Sequence, residues 1–277
     1  MADKFQLFRL SLLQRAQRDA FAGPDVSRYD YLTEVFSRQH IFKHFASEFH
    51  FRPDGSQSRA NALLARLGRK TTSDENRPPD EELEEISRES WKAVVIVVDP
   101  SDTKDGQKVA VEIDRAVGQP DALIAGLVKR INQSNPLSPY TIEVEPIIDA
   151  QDFWAFAEAN RGKVTSLTFE FVVPNGLWNA NTSIKEELRA ARAIGAERVS
   201  ETFKTKGFID TDNEKIKEAV DYVSNGSGKI RGKSKSGQRF NSTESPNTSE
   251  IDNVAIDSKE TMIRRVARQI EKVLRRE

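Results

Sequence analysis

AVVIVV, residues Ala93 to Val98, decides how this chain folds. Six consecutive apolar residues, four of them valine and one isoleucine, are too stiff at the first side-chain torsion to favour a helix. A run with no polar alternation predicts a strand buried on both faces. Downstream, Asp99-Pro100 and Asp105-Gly106 mark a turn, and KVAVEI (Lys108 to Ile113) alternates at period two, which predicts a hairpin partner. DALIAGLVKRIN (Asp121 to Asn132) then places Leu123, Ile124, Leu127, Val128 and Ile131 on one helical face. YTIEVEPII (Tyr140 to Ile148) predicts a strand, DFWAFAEAN (Asp152 to Asn160) a short helix, and SLTFEFVV (Ser166 to Val173) a strand stopped by Pro174. The order β-β-α-β-α-β predicts an α+β fold, a mixed or antiparallel sheet covered by helices.

Upstream, Phe5 to Leu13 predicts an opening strand, and Gly23-Pro24-Asp25 a break. Tyr29 to Phe49 carries Tyr31, Leu32, Val35, Phe36 and Phe42 at helical spacing, and ANALLARL (Ala60 to Leu67) predicts a second helix stopped by Gly68. The polar stretch RKTTSDENRPPDEE (Arg69 to Glu82), with two prolines, predicts an exposed, mobile loop. Beyond Pro174 the chain becomes more polar. It predicts a helix over Ser183 to Ile194 with a cap at Asn181-Thr182-Ser183, an amphipathic strand over Val199 to Lys206, and a helix over Asp212 to Val223. A Ser/Thr/Asn-rich linker (NSTESPNTSE) and a terminal amphipathic helix from Asp257 to Arg276 follow. Three regions result: 1–90, strand and helices; 91–180, the α+β core; and 181–277, a polar basic region ending in the helix.

At 277 residues the chain can bury a real core, while 37% hydrophobic and 31% charged residues describe a polar, soluble protein. With no cysteine, disulfides and thiolate metal sites are excluded, and a reducing cytoplasm is the expected compartment. MADKFQLFRLSLLQRAQRD lacks the continuous apolar stretch of a secretory signal. No run approaches the ~20 apolar residues of a membrane span.

Charge is unevenly distributed. GSGKIRGKSKSGQRF, Gly226 to Phe240, holds Lys229, Arg231, Lys233, Lys235 and Arg239 and no acid. Lys259 to Glu277 holds seven Lys/Arg against three Glu, among them Arg264, Arg265, Arg268 and Lys272. The chain as a whole is at −1, so once these two stretches (+5 and +4) are set aside the remainder carries −10. An acidic body with a basic C-terminal quarter is the pattern a phosphate backbone selects, through release of its counterions. In an extended chain Lys229, Arg231, Lys233 and Lys235 share one face at about 6.8 Å intervals. The bland alternative is a solvated edge protected by charge. The apolar stripe of the terminal helix (Met262, Ile263, Val266, Ile270, Val273, Leu274) reads as a core face or a homodimer seam.

Other motifs are weaker. Gly232-Lys233-Ser234 ends like a P-loop, but Ser227 stands where the first glycine belongs, and no strand precedes it. His40, His44 and Glu48 would align on a helix as metal ligands, yet Ile41 occupies the Glu position of HExxH, and a solvent-facing stripe is the better reading. Asp99 and Glu112 at strand ends suggest a metal-dependent nuclease, but Asp114 stands where D…ExK has lysine. Trp154 is expected to anchor its helix, and Trp178 to offer a contact surface in a loop. No cofactor is expected.

In element order and wording, KAVVIVVD…QKVAVEI, PDALIAGLVKRI, YTIEVEPI and TSLTFEFVVP resemble the A component of the bacteriophage lambda Rex exclusion system, loosely over two-thirds of the chain. The resemblance implies a non-enzymatic, cytoplasmic, homodimeric DNA-binding protein of bacterial antiviral defence or phage exclusion, paired with a membrane protein encoded nearby. It assigns no individual residue. From the residues and the resemblance together, the expected function is sequence-nonspecific binding of DNA or RNA. The alternatives are a nuclease effector and a pure protein-interaction subunit.

Overall fold

The computed structural model describes residues 3–14, 26–55, 62–101, 106–173, 183–244, 246–252 and 260–275. The expected caps at Asn181-Thr182, the loop carrying Trp178, the break at Gly23-Pro24 and the start of the terminal helix lie outside these residues. The fold is α+β, built on two antiparallel sheets.

The larger sheet grows around β5 (Glu85–Asp99), whose core half is AVVIVV. Its neighbours are β4 (Leu63–Asn76) and β6 (Gln107–Glu112). Outward from β4 come β3 (Ser47–Pro53) and β2 (His40–His44); outward from β6 come β1 (Asp3–Gln14) and then β12 (Thr248–Ile251). β7 (Tyr140–Pro146) shares the outer edge of β1 with β12: β12 pairs Asp3 to Gln6, and β7 pairs Phe8 to Gln14.

β5 is buried on both faces, as its sequence requires. Val94, Ile96 and Val98 meet α1 (Arg28–Phe36) and α2 (Pro120–Ser134), together with Phe8, Leu10 and Leu12. Val95 and Val97 face the other way, onto α6 (Met262–Arg268) and α7 (Ile270–Leu274). Removing a side chain such as Ile96, fully buried here, costs about 2–5 kcal/mol.

The smaller sheet runs β11 (Arg239–Asn241), β10 (Gly228–Ser234), β8 (Val164–Val172), β9 (Arg198–Lys204). One face packs on α3 (Ala150–Ala159), α4 (Ser183–Ala193) and α5 (Glu214–Ser224) through Phe169, Phe171, Ile230 and Phe240. Gly228 at the head of β10 has no substitute: its φ is +147°, and a Cβ there would lie 1.8 Å from the Glu170 carbonyl oxygen.

Several expectations are corrected. The helix expected over Tyr29 to Phe49 stops at Phe36. Residues 40–53 form a hairpin in which His40 and Phe42 face Phe51 and Phe49 at period two, and Phe45 turns with φ of 50°. His40, His44 and Glu48 therefore do not share a helical face. His40 is a core residue whose Nε2 bonds the Val35 carbonyl at 2.7 Å. The described part of ANALLARL, Ala62 to Leu67, runs into β4 and is not a helix; a short apolar run fits either period, and β5 supplies the strand partner. Arg69 to Asn76 is no loop but the outer half of β4, paired residue for residue with Glu85 to Lys92 as a two-stranded arm. The supposed linker after β11 contributes a 3-10 turn and β12. The terminal helix is broken at Gln269 into α6 and α7, and its apolar stripe is buried in this chain's own core, so it provides no dimer seam.

Candidate nucleic-acid interface

Among the described residues helices cover the small sheet on one side only, so it has an open face, and strand register fixes what that face displays. Phe169 and Ile230 point to the core, so Ser166, Thr168 and Glu170 of β8, and Lys229, Arg231 and Lys233 of β10, point outward. The outer row Arg239–Lys233–Ser166–Lys204 runs across all four strands, and the next row inward is Asn241–Arg231–Thr168–Thr202. At ~4.8 Å between strands and ~6.8 Å between outward residues, these side chains cover a surface of nucleic-acid dimensions with cations and hydroxyls. Gly232, facing inward, explains why the strip alternates as it does: a Cβ there would meet the Phe156 ring at 2.8 Å.

Charge on this face is graded. At the end against the large sheet every cation is neutralised. Glu145, only 4% exposed, takes Arg198 at 2.7 Å and Lys229 at 3.4 Å. Glu143 takes Arg198 at 3.0 Å, and Glu170 takes Arg231 at 2.9 Å. Burial pushes the Glu143 carboxyl up, Arg198 pulls it back, and Glu145 and Glu197 push it up further. Glu145 lies opposite Arg9, which is itself opposite Lys108 and, beyond it, Asp99; the row Asp99–Lys108–Arg9–Glu145 crosses β5, β6, β1 and β7. Arg9, buried, donates from Nη1 to the Asn225 carbonyl at 3.0 Å and to Ser227 Oγ at 3.4 Å. This row and its partners join the two sheets. Lys229 belongs to that joint.

At the far end the cations are open. Lys233, Lys235 and Arg239 gather where β10 turns into β11, and the Lys235 N–H donates to the Lys163 carbonyl at 2.8 Å, bringing Lys163 alongside. Lys204 at the end of β9 and Lys206 in the turn after it close the same end. All six are exposed, and none makes an ion pair among the described residues. The sequence strip identified Lys233, Lys235 and Arg239. It missed Lys163, Lys204 and Lys206, though the alternation of VSETFKTK had placed Lys204 and Lys206 on the polar side.

The second basic group sits elsewhere, on α6 and α7 against the large sheet. Arg265 pairs with Asp3 at 2.8 Å, Arg268 with Glu260 at 2.9 Å and Lys272 with Asp252 at 3.2 Å. The Arg265 and Lys272 pairs fasten the helices to β1 and to the end of β12, the Arg268 pair reaches back to the residue before Thr261 and α6, and Arg264 is exposed. The structure does not bring the two basic groups onto one sheet face.

Asp99 and Glu112 are not brought together either. Both point to the face covered by α6 and α7, but Glu112 is opposite Val95, four residues or about 13 Å along β5 from Asp99. Glu112 accepts the Val95 N–H at 2.7 Å, and Asp99 accepts that of Ser101 at 3.1 Å. Gly232-Lys233-Ser234 lies inside a strand, without the following helix a P-loop needs. Among the described residues no group of three or more His, Asp or Glu is placed to hold a metal ion, and no helix is long and apolar enough to cross a membrane. Trp154 packs beside Phe153 against the small-sheet core, as an anchor does. Comparison with protein-family models, with curated proteins and with solved structures finds no match to this chain.

Proposed function

We propose that the chain is a sequence-nonspecific DNA-binding protein that holds the phosphate backbone on the open face of its small sheet. One observation carries this reading: Lys233, Lys235, Arg239, Lys204, Lys163 and Lys206 crowd one end of the open face, and none of them makes an ion pair among the described residues. The paired strand positions of that face hold no aromatic side chain, so they offer phosphates charge and hydroxyls. Backbone contacts of this kind carry no sequence information. Arg231 and Lys229 are secondary because Glu170 and Glu145 already hold them.

In this reading the protein works in the bacterial cytoplasm in antiviral defence or phage exclusion, as the resemblance to the Rex A component suggests, and the membrane partner rests on that resemblance alone. A homodimer would double the cationic face and would use a surface other than α6 and α7. The nuclease alternative loses support from the separation of Asp99 and Glu112. The test is fluorescence anisotropy with 20-base-pair duplexes of unrelated sequence. Wild type binds them with equal affinity, and Lys233→Ala/Lys235→Ala/Arg239→Ala weakens all of them at least tenfold while its melting temperature is kept. Normal binding by that variant would reduce the strip to a solvated edge.

A further inference from the structure

Among the described residues the large sheet also has a partly uncovered face. α6 and α7 cover Phe5, Leu7, Ala110, Val97, Val95 and Leu64. Beyond them, on the same side of β2, β3, β4 and β5, strand register places Ile41, His50, Gly68 and Ala93 in one row. The flanking rows carry Arg52 opposite Arg66 on one side, and Lys43 opposite Glu48 and Lys70 opposite Trp91 on the other. Gly68 in this row is buried, and a Cβ there would be 3.1 Å from that of Ala93, which is exposed. Trp91 stands beside this row, 59% exposed, its ring edge-on to His50 with centroids 5.0 Å apart.

The indole is a large aromatic ring held at a fixed angle on an open sheet, more than half exposed, with cations around it. A stacking platform for a base needs that combination. We infer that this face binds single-stranded nucleic acid, with a base stacked on Trp91 beside Ala93 and the backbone following Lys43, Arg52 and Arg66. The acids on the face are Glu48 and Glu89 and, farther out along the arm, Asp74 and Glu85, with Asp74 four residues beyond Lys70, about 13 Å. Glu48 accepts from His50 at 2.9 Å, and Glu89 holds Lys70 at 2.5 Å. Arg66 is exposed and makes no ion pair among the described residues. The acidic tip of the arm, Asp80 to Glu85, begins six residue pairs beyond Trp91, about 20 Å away and past the ~8 Å screening length at physiological salt. A duplex keeps its bases stacked inside and cannot use Trp91 in this way.

The inference rests on the proposed nucleic-acid function and adds a single-strand site to its duplex site. The two faces belong to different sheets, so variants on them are read separately. The experiment titrates a 20-residue oligothymidine and a 20-base-pair duplex against wild type, Trp91→Ala, Trp91→Phe, Arg66→Ala and the Lys233/Lys235/Arg239 triple alanine variant, each checked by thermal melting. Trp91→Ala weakens oligothymidine binding roughly tenfold to hundredfold and leaves duplex binding within twofold. Trp91→Phe keeps most of the single-strand affinity, and Arg66→Ala loses several-fold with Trp91 intact. Wild type that does not bind oligothymidine, or Trp91→Ala and Arg66→Ala that bind it as wild type does, overturns the inference. Duplex binding unaffected by the triple variant, with the Trp91 effect present, overturns the small-sheet site and upholds this one.

Discussion

At the residue scale, exposure and pairing decide what each charged side chain does, and sequence shows neither. Lys233 and Arg231 are two residues apart on one strand, yet Arg231 is held by Glu170 and Lys233 is open. Lys233→Ala is therefore expected to weaken duplex binding several-fold in an anisotropy titration, and Arg231→Ala by no more than about twofold, the small effect of an exposed, already paired charge. Glu170→Gln should raise affinity by releasing Arg231. An equal loss in the two alanine variants would show that Glu170 does not neutralise its partner. His40 is a second case. Burial holds its pKa below the usual value, with Arg130 and Arg38 adding to the effect and the Val35 carbonyl opposing it. The folded protein keeps this imidazole neutral while the unfolded chain protonates it near pH 6.5. Its contribution to stability is thus complete above pH ~6.5 and is lost as the pH falls through the depressed folded-state value. Denaturant melts of wild type and His40→Asn between pH 8 and 5 should show a steeper acid loss in wild type; parallel profiles would contradict this.

At the element scale, most of the fold was legible in the residues, and the failures have physical causes. AVVIVV, KVAVEI and the helices at Asp121 and Asp212 were readable because their apolar residues follow one period and their neighbours agree. ANALLARL and the stretch after Phe36 misled because short apolar runs suit a helix or a strand, and the choice falls to a partner distant in sequence. RKTTSDEN read as a loop because a strand without a core face has no apolar pattern, although its Thr-Thr suits a strand. The terminal stripe was recognised but not its partner, the β5 face formed by Val95 and Val97. Deleting residues 260–277 is therefore expected to expose that face and abolish cooperative unfolding, read by calorimetry and light scattering. A truncated protein with unchanged melting temperature would instead return the stripe to an interface between copies. Gly228→Ala, which forces a Cβ into the Glu170 carbonyl, should separate β10 from β8, lowering stability and duplex affinity together.

At the scale of the whole molecule, the basic quarter seen in the sequence divides in two. The terminal cations mostly staple α6 and α7 to the large sheet, and the strip forms the open end of the small one. The expected DNA contact thus narrows to one face, and Lys163, Lys204 and Lys206 join it from strand ends that no linear scan groups together. The buried row through Arg9 and Glu145 ties this face to the body of the protein. The most direct test of the account is the affinity for duplex DNA measured from 50 to 300 mM salt, for wild type and for the Lys233→Ala/Lys235→Ala/Arg239→Ala variant. The account predicts a linear fall of log affinity with log salt in wild type, and a slope about 3 units shallower in the variant, ~0.9 for each phosphate contact removed. A wild-type affinity that does not change with salt, or a variant with the wild-type slope, would contradict it.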